Sequence, residues 1–147
     1  MKTVKELMTT DCVTVSQNDT FYEVSVKMRD HDIGFIPVVE GRNLIGVVTD
    51  RDLVVRGIAE GRTESSTVSG VISKEIRSIS PDTTIEEAAR IMANGQIRRL
   101  PVVENGELLG VVALGDLAIH KNYENEAGEA LSQISEPTPA EQQNSLQ

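Results

Sequence analysis

The chain has 147 residues, 39% of them apolar but only 3% aromatic, so a core has to be built from aliphatic side chains. Its 14 Lys and Arg against 23 Asp and Glu give a formal charge of −9, which argues against nucleic-acid backbones and anionic membrane surfaces, since both call for clustered cations. The single cysteine, Cys12, excludes an internal disulfide framework; with no His or Asn in a known catalytic pattern, it reads as a small half-buried apolar residue.

From the N-terminus, residues 1–20 lack the apolar stretch of a signal peptide. The longest apolar run, Leu108 to Leu114, is far too short to cross a bilayer. A cytoplasmic protein with no membrane partner is expected. Val4 to Met8 reads as a short helix or turn, and Val13-Thr14-Val15 as a short strand. Thr20-x-x-Glu23 is a capping box, in which hydroxyl and carboxylate satisfy amides left open at a helix start. Phe21, Val24 and Met28 follow at helical spacing and predict a core-facing stripe. Two strands come next, Phe35 to Val39 and Leu44 to Thr49, separated by Gly41-Arg42-Asn43. A closing helix carries Leu53, Val54, Val55 and Ile58, and residues 62–66 form a polar linker.

The second half repeats this order. Val68 to Ile72 leads to the strand Arg77-Ser78-Ile79, the box Thr84-x-x-Glu87, and the stripe Ile85, Ala88, Ala89 and Met92. Asn105-Gly106 then separates two more strands, a strong hairpin signal, and Leu117, Ala118 and Ile119 close the unit. A shift of 64 residues aligns the halves over residues 4–56 without a gap. Pro37-Val38-Val39-Glu40 falls on Pro101-Val102-Val103-Glu104, and Gly46-Val47-Val48 on Gly110-Val111-Val112. The overlay yields 16 identities where ordinary residue usage gives about 3 to 5. The chain is a duplication, with an α/β strand–helix–strand–strand–helix order in each copy. Domains are expected at 3–61 and 67–122. Residues 123–147 read as a polar, disordered tail, too poor in apolar surface to offset ordering.

Thr49 and Asp52 stand at the head of a helix. A carboxylate accepts hydrogen bonds only, which suits the two vicinal hydroxyls of a ribose, and open amides at the helix start favour a nearby phosphate. The same spacing is also a plain capping box that needs no ligand. The second copy keeps Asp116 but has Ala113 at the cap. Arg98 and Arg99, directly before Leu100-Pro101, read from the residues alone as strand-edge charges, one facing each side of the strand; the first copy has Gly34 and Phe35 there. His31 and His120 do not align, and no Cys or carboxylate stands at ligand spacing, so no metal site is expected. No Gly-rich phosphate loop, nucleophile elbow or close catalytic pair occurs. The expectation is a non-enzyme.

Two copies of Pro-Val-Val followed by Gly-Val-Val and an Asp, in register over about residues 3–122, resemble a CBS-domain pair, or Bateman module. The resemblance implies two tandem CBS domains packed with pseudo-twofold symmetry, with clefts that bind AMP, ADP, ATP or S-adenosylmethionine, and association into a homodimer. It also implies a regulatory role toward an enzyme, channel or transporter, the alternative being a ligand-free protein–protein interaction module. By the same analogy, Arg98 and Arg99 are phosphate contacts, with plain strand-edge charge the alternative; Thr14 and Ser78 are adenine-edge contacts, and Ile36 and Leu100, each followed by its proline, Pro37 or Pro101, sandwich the ring. Core packing explains Ile36 and Leu100 equally well.

Overall fold

The computed structural model describes residues 2–119. His120 and the tail expected after residue 122 lie outside the described residues. The chain packs into two compact units. One comprises residues 11–77 and 103–108; the described part of the other comprises residues 2–10, 78–102 and 109–119.

In the first-repeat unit, a 3-10 turn at Val68–Gly70 supplies buried Val68, and the main helix is α1, Phe21–His31. The capping box forms in full: the Glu23 backbone N–H donates to Thr20 Oγ1 at 3.1 Å, and the Thr20 N–H donates to Glu23 Oε1 at 3.1 Å. The helix ends at Asp32, in the left-handed region at φ 54°. Strands β1 (Phe35–Glu40) and β2 (Asn43–Thr49) pair antiparallel, with a register shift between Val38 and Val39. Phe21, Val24, Ile36, Val38, Val48 and Val68 fill the core. Each such side chain contributes roughly 1.5–3 kcal/mol relative to exposure.

The second-repeat unit is built alike. A 3-10 turn at Val4–Glu6 supplies Val4 to its core. Helix α2 is Ile85–Gly95, and strands β3 and β4 are Arg99–Glu104 and Glu107–Ala113. Helix α3, Leu114–Ile119, follows directly. The Asn105-Gly106 turn has both residues at positive φ, 54° and 82°, as the hairpin signal predicts. Its tip belongs to the first-repeat unit, where the Leu44 N–H donates to the Gly106 carbonyl at 3.0 Å and the Leu108 N–H to the Arg42 carbonyl at 2.9 Å. At that tip Asn43 of β2 pairs antiparallel with Glu107 of β4.

Four elements differ from the sequence expectation. The strands expected at 13–15 and 77–79 are single parallel bridges, Val15 to Val38 and Ile79 to Val102. The next ladder bond in each case needs an N–H from Pro37 or Pro101, which proline lacks. The capping box of α2 is half made: Thr84 Oγ1 accepts the Glu87 N–H, but the Glu87 carboxylate pairs with Arg90 at 2.8 Å. The closing helix of the first repeat is a π-helical turn, Asp52–Gly57, continued as a 3-10 turn at Ile58–Glu60. The Ile58 N–H is shared between the Leu53 and Val54 carbonyls, the wide spacing of a π turn.

Candidate functional site

Strand β2 ends at Thr49 and the π turn starts at Asp52, so the chain reverses direction with both side chains at its head. The two residues bracket each other: the Asp52 N–H donates to Thr49 Oγ1 at 3.1 Å, and the Thr49 N–H donates to Asp52 Oδ2 at 2.9 Å. A carboxylate has about four acceptor positions, so this cap leaves most of them available. Asp52 Oδ1 stands 3.7 Å from Arg56 Nη1, with the Asp52 side chain 16% exposed.

The Arg56 guanidinium also donates to Ser73 Oγ at 3.4 Å. It lines an open surface pocket of about 460 Å³ with Ile72, Ser73, Lys74 and Glu75. The sequence reading missed Arg56, Ser73 and Lys74. No local pattern names them; the structure shows Ser73 and Thr9, 64 residues apart, lying against equivalent strands. Ser73 exchanges backbone hydrogen bonds with Val47 at 2.9 and 3.0 Å, and Thr9 with Val111 at 2.9 and 3.0 Å.

The second repeat retains half of the bracket. The Ala113 N–H donates to Asp116 Oδ2 at 3.0 Å, but Ala113 has no hydroxyl to return the bond. Asp116 is half-buried in the first turn of α3. Arg98 precedes β3 and Arg99 opens it, both exposed. The Leu114 N–H donates to the Arg98 carbonyl at 2.8 Å, which ties the arginine pair to the head of α3. Ser78 is exposed in the same unit.

The remaining sequence candidates are more deeply placed. Ile36 and Leu100 have no exposed surface and sit in the two cores, so neither offers a face to a ring here. Pro37 and Pro101 are buried beside them, their carbonyls accepting the Val15 and Ile79 N–H groups at 3.2 and 3.0 Å. Thr14 is half-buried and its carbonyl accepts Lys27 Nζ at 3.0 Å. The candidates thus fall into two sets: Thr14, Ile36, Pro37, Thr49 and Asp52 in one unit, Ser78, Arg98, Arg99, Leu100, Pro101 and Asp116 in the other.

Other chemistry is sparse. Burial pushes the Cys12 thiol up, and Asp11 adds to the rise, opposite to what activates a nucleophile. Among the described residues, no three His, Cys, Asp or Glu gather as a metal would need. Among them, too, no helix is long and apolar enough to cross a membrane.

Comparison with known proteins adds the family. The CBS-domain model matches twice, over residues 4–57 and 68–121. The CBS domain-containing protein YhcV of Bacillus subtilis is 47% identical over 135 residues, covering 92% of this chain and 96% of that protein. Hypoxic response protein 1 of Mycobacterium tuberculosis is 31% identical over 122 residues, covering 82% of this chain and 85% of that protein. A solved structure of Hypoxic Response Protein I, with two coordinated zinc ions, superposes at a TM-score of 0.74 and 31% identity, covering 82% of this chain and 99% of that one. CBSX2, solved in complex with AMP, shares the fold at a TM-score of 0.75 and 24% identity, covering 85% of this chain and 99% of that one. The chain belongs to the CBS-domain family, as a tandem pair of CBS domains.

Proposed function

We propose that this CBS pair is a cytoplasmic regulatory sensor, without enzymatic activity, that binds an adenine nucleotide or another adenosyl ligand such as S-adenosylmethionine. The observation that carries the reading is the Thr49–Asp52 bracket, whose carboxylate stands 3.7 Å from Arg56, a residue that lines a surface pocket. A cap alone needs neither the pocket nor the Arg56 and Ser73 groups that border it. Asp52 Oδ1 is in position to accept from ribose hydroxyls, while Arg56, Ser73 and Lys74 supply donors to the rest of the ligand. In the second repeat, Asp116 supplies the carboxylate, and Arg98 and Arg99 supply charge for a phosphate. Thr14 and Ser78 remain proposed adenine-edge contacts. Ile36, Pro37, Leu100 and Pro101 are proposed as the packed floor on which a ring lies, after local side-chain movement.

Binding acts as regulation only if the ligand favours one of two states of the protein. A homodimer offers such states. Val54, Val55 and Ile58 are 56%, 44% and 63% exposed along the closing turns of the first repeat, an apolar edge suited to a second copy. The same edge favours a second reading, a ligand-free interaction module that docks a regulated protein there.

The test is calorimetric titration with AMP, ADP, ATP and S-adenosylmethionine, on the unaltered protein and on Asp52→Ala and Asp116→Ala. Loss of a charge-assisted hydrogen bond to ribose costs about 1.5–3 kcal/mol, roughly ten- to a hundredfold in affinity. A variant that loses binding while keeping its fold identifies the working site. Absence of binding by protein stripped of carried-over ligand refutes the sensor and leaves the interaction module.

A further inference from the structure

The two repeats carry the same backbone link at the head of their sites, with opposite charge beside it. In the first, the Asp50 N–H donates to the Gly34 carbonyl at 3.0 Å; in the second, the Leu114 N–H donates to the Arg98 carbonyl at 2.8 Å. Gly34 and Asp50 are the counterparts of Arg98 and Leu114 under the 64-residue shift. The Asp50 carboxylate folds over Gly34: a Cβ added there would lie 2.8 Å from Oδ2 and 3.2 Å from Oδ1. Oδ1 also accepts the Arg51 N–H at 2.8 Å, which pins the carboxylate in that place. A side chain at position 34 would therefore require the exposed Asp50 carboxylate to swing aside. One repeat is built as Gly with Asp, the other as Arg with Leu.

We infer that this exchange sorts ligands by charge: Asp50 makes the first-repeat site select a neutral or cationic adenosyl ligand, and Arg98 with Arg99 makes the second select a phosphorylated one. The inference deepens the adenosyl-sensor reading and rests on it. Arg56 in the first repeat contacts Asp52 and Ser73. Asp50 thus adds a negative charge near the bracket, whereas the second repeat adds two positive ones.

The experiment separates the sites by background. In Asp116→Ala protein, with the fold checked by circular dichroism, adenosine, AMP and S-adenosylmethionine are titrated before and after Asp50→Asn and Gly34→Arg/Asp50→Leu. Adenosine and S-adenosylmethionine are expected to bind more tightly than AMP. Asp50→Asn should raise AMP affinity roughly tenfold and leave adenosine within about twofold; the double variant should raise AMP further. In Asp52→Ala protein, AMP should win over adenosine, and Arg98→Ala/Arg99→Ala should abolish that preference. Asp50→Asn, the smallest change, keeps the test valid if the double variant does not fold. If the folded, unaltered protein binds none of the three probes, the adenosyl reading itself fails and the sorting with it. If probes bind, yet the AMP-to-adenosine ratio is equal in both backgrounds and unmoved by Asp50→Asn, the sorting alone is overturned.

Discussion

Gly110→Ala is the sharpest single test of how the second-repeat unit is assembled. A Cβ at position 110 would lie 2.5 Å from the Thr9 carbonyl oxygen and 3.2 Å from both Met8 Cγ and Sδ. The methionine can swing aside, but the carbonyl is backbone and is held by reciprocal hydrogen bonds between Thr9 and Val111 at 2.9 and 3.0 Å. Relief requires the Thr9 segment to lift, which loses two hydrogen bonds at about 1 kcal/mol each. Otherwise the strand stays strained, at about 1–3 kcal/mol for overpacking. The cheaper of the two routes sets the cost at about 2 kcal/mol, and at about 2–4 °C per kcal/mol the melting temperature falls by roughly 6 °C. Urea unfolding followed by circular dichroism measures it. Two controls calibrate the result. Gly46→Ala meets the Ser73 carbonyl at 2.9 Å and should cost less. Gly115→Ala, with nothing within 4 Å, should be neutral or stabilising by about 0.5–1 kcal/mol. If Gly110→Ala stays within about 0.5 kcal/mol of the unaltered protein, the close approach of Thr9 to β4 is refuted.

Three further outcomes are expected. The Thr20 backbone N–H and hydroxyl hold the Glu23 carboxyl below the usual carboxylate range. Its folded value thus lies below its unfolded one, so its contribution is present at neutral pH and is lost as pH falls through the folded value. Glu23→Gln should lower the melting temperature at neutral pH, with the gap to the unaltered protein closing below the usual carboxylate range; a gap independent of pH contradicts this. Because burial raises the Cys12 thiol, alkylation by iodoacetamide should be slower at neutral pH than for a free cysteine peptide and should rise above its ordinary range, as a rate series across pH will show. Ile58→Glu should convert the proposed homodimer to monomer on light scattering, and an unchanged mass would remove the closing turns from the interface.

Most of the fold is legible because it is encoded locally. Thr20 and Thr84 mark helix starts, Asn105-Gly106 marks a hairpin, and the 64-residue overlay turns each local signal into two. The bracket at Asp52 and its half at Asp116 are legible for the same reason, since a cap is a contact between residues three apart. What escapes the sequence is non-local or negative. Val4 packs into the core of the second repeat and Val68 into that of the first, partners that no short-range pattern names. The strands at 13–15 and 77–79 fail to extend because a proline on another segment lacks an N–H. The pocket beside Arg56 depends on where residues 72–75 lie, and the Asp50 carboxylate matters only because Gly34 leaves room for it. Ile36 and Leu100 read equally as ring contacts and as core, and their complete burial shows the core role in this structure.

The exchange of leading turns has a consequence for how the protein is made. The first-repeat unit is nearly complete once residue 77 has been synthesised, lacking only the 103–108 tip, whereas the second-repeat unit must keep its first ten residues waiting until β3 and β4 exist. Closing that loop early gains nothing, because Val4 has no core to enter until Ile85, Leu100 and Val112 are present. Such long-range closure slows folding. During translation the leading turn is exposed on the nascent chain, and a second nascent copy is a competing source of the same segment. Domain swapping of the leading turn between copies is therefore the folding error to expect of this architecture.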